Sequence, residues 1–151
     1  DFKKTDQAHL ILGFRTIART SLERPVLRVL NNIFGETMSS RLFTEVRERR
    51  GLAYYVSSEM ADFQDAGVFG AAAGVDISRA EEAVKVILEE FNRLKKEEVT
   101  FEELQRAKEN LKGRMYLSLE ESFAVAEFLA EQKLFWDKIE QPEDLIKKYE
   151  K

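Results

Sequence analysis

Apolar and polar positions alternate over residues 7–17, with Ala8, Leu10, Leu12 and Phe14 on one face and Ile11 on the other. A period of two predicts a strand, here with both faces partly covered. The period then lengthens to that of a helix. Thr20 and Glu23 have capping-box spacing, and Leu22, Val26, Val29, Leu30 and Ile33 follow at helical intervals until Gly35 offers a left-handed stop. Pro25 is harmless only in a first turn, so either this helix starts near Glu23 or its opening is irregular. Ser39 or Ser40 is expected to cap a shorter helix running to Gly51, with Arg41, Glu45 and Arg49 laddered four apart.

Two further strands, 53–63 and 68–75, flank Gln64-Asp65-Ala66-Gly67 and read as a hairpin. The run Gly70-Ala71-Ala72-Ala73-Gly74 presents so little side chain that something is expected to pack closely on it. Ser78 and Glu81 suggest the cap of a helix with Ala80, Val84, Ile87, Leu88, Phe91 and Leu94 on one stripe. Thr100 and Glu103 cap the next, carrying Leu104, Ala107, Leu111 and Met115, with a bend or restart near Ser122. A short helix from Pro142 closes the chain. The order predicts an α+β fold, a mainly antiparallel sheet with helices packed on one face, in a single domain spanning 1–151. Three strands are few for so much helix, so the sheet is expected to lack a neighbour.

Composition narrows the chemistry. With 24 basic against 28 acidic residues among 151, and no concentrated basic stretch, the chain is a poor nucleic-acid ligand. No run of about 20 apolar residues is available to span a bilayer, so a soluble protein is expected, cytoplasmic if prokaryotic. There is no Cys and a single His, His9, so neither HExxH nor HxxEH zinc chemistry can be built from this chain. His9 reads as a solvent-edge or packed strand residue. Asp62 and Asp65 fall at the hairpin end, where turn chemistry explains them. Trp136, beside Leu134 and Phe135, reads as a packing or interface aromatic.

One segment stands out. Arg47-Glu48-Arg49-Arg50-Gly51-Leu52-Ala53-Tyr54 runs from a helix end through a glycine into a strand, a junction at the rim of a sheet where functional groups are commonly placed. A plainer reading competes: arginines in a last helical turn complement the helix dipole, and Tyr54 shares alternation with Val56 and Met60, which would make it a core residue with a wet hydroxyl.

Three blocks, Gln7-Ala8-His9-Leu10-Ile11-Leu12-Gly13-Phe14, Asn31-Asn32-Ile33-Phe34-Gly35, and Met38-Ser39-Ser40-Arg41-Leu42-Phe43-Thr44-Glu45-Val46-Arg47 onward to Tyr54, together resemble the M16 metallopeptidases. The similarity continues through Gly67-Val68-Phe69 and Glu102 to Lys108 into Leu117 to Ser122, covering nearly the whole chain. That family's fold pairs two similar α+β halves around a chamber. One half carries His-x-x-Glu-His and zinc; the other carries an Arg and a Tyr seven residues apart.

The resemblance implies that this chain is a zinc-free half-domain, with no cofactor of its own and zinc in a partner domain. Arg47 would then hold substrate backbone and Tyr54 would hydrogen-bond the carbonyl oxygen as it becomes an oxyanion. The implied partners are an HxxEH-bearing domain or subunit and a peptide substrate. The alternative is a non-catalytic structural or assembly subunit of the same fold. Two departures stand beside the match. The family's glycine run before Met-Ser-Ser-Arg is reduced to Gly35-Glu36-Thr37, and the strand–helix–strand unit expected before Gln7 is absent. With Asp1 as the first residue, these suggest an N-terminally truncated domain, and an open sheet edge through which the fragment would self-associate.

Overall fold

The computed structural model describes residues 5–136 and 139–150; Asp1 lies outside them. In chain order the elements are β1 (Gln7–Thr16), α1 (Arg24–Asn31), two π-helical turns (Asn32–Glu36 and Phe43–Glu48), β2 (Ala53–Asp62), β3 (Gly67–Asp76), α2 (Ala80–Lys96), α3 (Phe101–Ser118), α4 (Ser122–Phe135) and α5 (Pro142–Glu150). The sheet order is β1-β3-β2 with both pairings antiparallel, which puts the small-residue strand at the centre. This is the expected α+β fold.

The sheet has one covered and one open face. Ala8, Leu10 and Leu12 of β1, Ala71, Ala73 and Val75 of β3, and Val56 and Met60 of β2 pack with Leu27, Phe34, Leu42, Val46, Ile87 and Phe91 into the main core. At its heart the ring of Phe34, fully buried, lies 4.4 Å from Phe91 and 5.5 Å from Phe69. Each such ring contributes roughly 2–3 kcal/mol by burial, and the edge-on pairing of Phe69 with Phe91 adds about 1. A second cluster, Val29, Ile33, Ala107 and Leu111 with Tyr149 against it, fastens α3 and α5 to the far side of α1. On the other face β1 is open among the described residues: Ile11 is 79% exposed and His9 is exposed too, which corrects the expectation of two partly covered faces.

Several caps differ from the sequence reading. Helix α1 begins at Arg24, so Pro25 sits in its first turn, one of the two arrangements expected. Thr20 caps nothing there; Ser21 Oγ instead accepts the Glu23 N–H, and Leu22 and Val26 are exposed while Leu27 and Val29 are buried. Gly35 is no left-handed stop, because among the described residues only Gly51, at φ 57°, has positive φ. Gly35 is instead a point of close approach: a Cβ there would lie 2.3 Å from the Ser58 backbone nitrogen. At α2 the cap is Asp76, which accepts the Ser78 N–H at 2.7 Å ahead of a 3₁₀ turn, and Ala83 and Val86 replace Val84 and Leu88 on the buried stripe. The Thr100–Glu103 capping box forms as read, and the chain does restart at Ser122. Asp62 is more than a turn residue. Arg19 and Arg24 both pair with it, and although burial alone would raise its carboxyl, these guanidinium groups hold it below the usual range.

Candidate functional site

The segment from Arg47 to Tyr54 turns a π-helix into a strand. Its start is organised by Ser40, whose carbonyl accepts the Thr44 N–H at 3.0 Å. From Phe43 the hydrogen bonding widens to the π pattern, with the Arg49 N–H reaching the Thr44 carbonyl at 2.9 Å. Single π turns are frequent at functional sites because the extra residue shifts side chains around the helix axis. The helix ends where Gly51 adopts the left-handed conformation and donates to the Arg47 carbonyl at 3.1 Å, as its position predicts. Leu52 then donates to Val46 at 2.9 Å and is buried, which plants β2 at the foot of the helix.

The three arginines of this segment have unlike surroundings. Glu45, buried to 7% exposure, draws in two of them: Arg50 Nη1 donates to its Oε2 at 2.6 Å and to its carbonyl at 3.0 Å, and Arg49 Nη1 pairs with Oε1. Arg93 of α2 approaches the same carboxylate at 3.6 Å, binding the turn to the helix layer. Arg41 does not join the predicted ladder; it makes a two-pronged pair with Glu103. Arg47 alone among Arg47, Arg49 and Arg50 has no ion pair within the described residues. It is exposed, with its guanidinium 4.9 Å from the centre of the Phe43 ring.

Tyr54 is 54% exposed, and its hydroxyl has no hydrogen-bond partner among the described residues. That overturns the reading of Tyr54 as a core residue. The reason lies in the ladder: Ala53 pairs with Val75 and Tyr55 with Gly74, so Tyr54 is the extra residue of a β-bulge. Simple alternation therefore fails there, and bulges of this kind re-aim side chains next to functional sites. No hydrogen bond joins Arg47 to Tyr54. Both are presented to the outside from the two ends of one short turn.

Sequence reasoning took His9 only as a solvent-edge or packed strand residue and passed over Tyr55. The His9 Nδ1 atom lies 3.0 Å from the Tyr55 hydroxyl, across a strand that contributes only Gly74 between them. Only the register brings them together; the glycine within a strand was the available signal. A groove of about 320 Å³ lined by Arg41, Glu45, Arg49, Arg93, Glu97 and Glu103 includes neither Arg47 nor Tyr54. Its acids and bases are largely paired with one another. Among the described residues no group of three or more His, Asp or Glu could hold a metal ion. No helix among them is long and apolar enough to cross a membrane.

Comparison with known proteins places the chain and its fold. Residues 1–111 match the family model described as the peptidase M16 inactive domain. An uncharacterized zinc protease of Streptomyces coelicolor is 39% identical over 144 residues, 95% of this chain and 31% of that protein. A Bacillus subtilis protein named "Probable inactive metalloprotease YmfF" is 30% identical over 87% of this chain and 31% of its own length. The chain thus spans about a third of the curated relatives it matches. The crystal structure of a peptidase M16 inactive domain from Pseudomonas fluorescens superposes with a TM-score of 0.87 at 26% identity, over 97% of this chain and 35% of that one.

Proposed function

Because the chain belongs to the M16 peptidase family, as its inactive domain, we propose that it supplies Arg47 and Tyr54 to a metalloendopeptidase site whose zinc and general base lie on another domain. One observation carries the reading: in a segment where Arg49 and Arg50 are tied to Glu45, Arg47, Glu48 and Tyr54 are the polar side chains left exposed and without hydrogen-bonded partners among the described residues, and of these Arg47 and Tyr54 are the two that can donate to a peptide carbonyl.

The donor set of this chain does not fit zinc, since it offers one imidazole and no thiolate. Activation of water therefore falls outside it. What these residues do is electrostatic. The Tyr54 hydroxyl donates a hydrogen bond to the carbonyl oxygen of the scissile bond as negative charge grows there, and a donor aimed at developing charge lowers the barrier more than it stabilises the bound substrate. The Arg47 guanidinium, held over Phe43 with its N–H edge free, grips backbone carbonyls of an extended peptide.

The test uses the full protein assembled with its HxxEH half. Tyr54→Phe should lower kcat roughly ten- to a thousandfold with folding unchanged, Arg47→Ala should damage both kcat and KM, and Arg49→Ala should be nearly silent because Arg50 and Arg93 still face Glu45. Full activity in Tyr54→Phe alongside a loss in Arg49→Ala would end this assignment. The name of the Bacillus subtilis relative favours a second reading, an inactive partner subunit. On that reading the companion half lacks HxxEH, and neither Arg47→Ala nor Tyr54→Phe alters anything but assembly.

A further inference from the structure

The core side of β2 makes a demand that a regular strand cannot meet. Ala53 packs against the core, and so do Val56 and Met60. Ala53 and Val56 are three residues apart, an odd interval, whereas a strand returns to the same face every second residue. One extra residue must therefore be inserted between them. The core does not say which. Tyr54 and Tyr55 are adjacent and chemically identical, and either could stand opposite Gly74 while the other is extruded. The whole presentation of Tyr54 depends on that choice.

The open face makes it. His9, Gly74 and Tyr55 occupy one rung across the three strands. Gly74 contributes no side chain, and the Tyr55 ring occupies the vacant position: a Cβ at residue 74 would lie 2.3 Å from Tyr55 Cε1 and 2.8 Å from Cδ1. The ring thus crosses the central strand, its centroid is 6.0 Å from that of His9, and its hydroxyl meets His9 Nδ1 at 3.0 Å. Tyr55 is 43% exposed and covers a glycine that would otherwise leave the centre of the sheet bare.

We infer that Tyr55, laid over Gly74 and bonded to His9, is a positioning residue: it claims the paired place in the ladder and so makes Tyr54 the extruded one. The inference rests on the reading of Tyr54 given above for its catalytic consequence, but not for its structural content. Tyr55 itself touches no reacting atom.

The experiment follows Tyr54 directly. In the full chain with ¹³C-labelled tyrosine rings there are four tyrosines, and Tyr54→Phe assigns the signal of interest. Gly74→Ala, His9→Ala and Tyr55→Phe should each move the Tyr54 ring signal and speed amide exchange at residues 54 and 55 by roughly tenfold, the scale of one lost hydrogen bond. Exchange in the β1–β3 ladder should not change. In a Tyr55→Ala background, Gly74→Ala and His9→Ala should have no further effect on Tyr54, because the route between them is gone. Tyr55→Phe removes one oxygen from an exposed ring, so its outcome does not hinge on folding. If Tyr54 signals and exchange stay unmoved in Tyr55→Phe, and also in Gly74→Ala although the Tyr55 signal shifts there, the inference is overturned. In the assembled protein Tyr55→Phe should lower kcat about tenfold at constant KM, a small misplacement effect, and do nothing further in Tyr54→Phe. A silent Tyr54→Phe would refute the catalytic role of Tyr54, leaving the ring and exchange measurements to judge the positioning role alone.

Discussion

Replacing Glu103 by Gln tests how the helix carrying Arg47 is held against α3. Glu103 Oε1 accepts from Arg41 Nε at 2.7 Å, and Oε2 accepts from Arg41 Nη2 and from the Thr100 N–H, each at 2.9 Å. The hydrogen bonds from Arg41, assisted by Thr100 and opposed by burial, hold the Glu103 carboxyl down to about 2 from an ordinary 4.5. A carboxyl whose folded pKa is depressed stabilises the fold above the unfolded value and loses that contribution as pH falls through the folded one. The window is therefore pH 4.5 down to about 2. At about 1.4 kcal/mol per pH unit the full contribution is roughly 3 kcal/mol, trimmed toward 2 because the Glu103 side chain is 22% exposed. Protonated Glu and Gln have nearly the same shape, so the two proteins should converge in acid. Urea unfolding of both at a series of pH values measures this: a gap of about 2–3 kcal/mol at pH 7 should shrink below about 1 near the acid end of the window. A gap that is constant with pH, or absent at neutrality, would refute the electrostatic account and leave only helix capping.

Other outcomes follow from the same geometry. Gly35→Ala should lower stability by about 1–3 kcal/mol or more in thermal unfolding, since its Cβ would meet backbone of Ser58 that has no room to retreat. Gly113→Ala, in α3 with nothing within 4 Å, should raise stability by about 0.5–1 kcal/mol; a loss there would show an unseen contact. Gly51→Ala should cost about 1–2 kcal/mol through its left-handed backbone, φ 57°. The chain should also associate with itself through the outer edges of β1 and β2, which pair with no other strand among the described residues. Light scattering over a range of concentrations checks this, and a strictly monomeric species near 17.5 kDa would contradict it.

Local physics settled much of this protein in its sequence. The alternation in β1, the hairpin around Asp65 and Gly67, the capping box at Thr100 and the stop at Gly51 each depend on residues within a few positions of one another, and each is present. The block ending in Gly-Leu-Ala-Tyr likewise marked the family. Long-range packing decided the rest. Whether Gly35 stops a helix or admits a neighbouring strand depends on Ser58, far away in sequence. Arg41 chose Glu103 over Glu45 because α3 brings a capping carboxylate to it, and that choice leaves Glu45 to Arg49 and Arg50. Above all, alternation along β2 placed Tyr54 inside. Ala53 and Val56 together demand one extra residue, and the register against β3, with Tyr55 opposite Gly74, turned Tyr54 out. A strand's periodicity is a property of the chain, but the place where that periodicity breaks is a property of its neighbours.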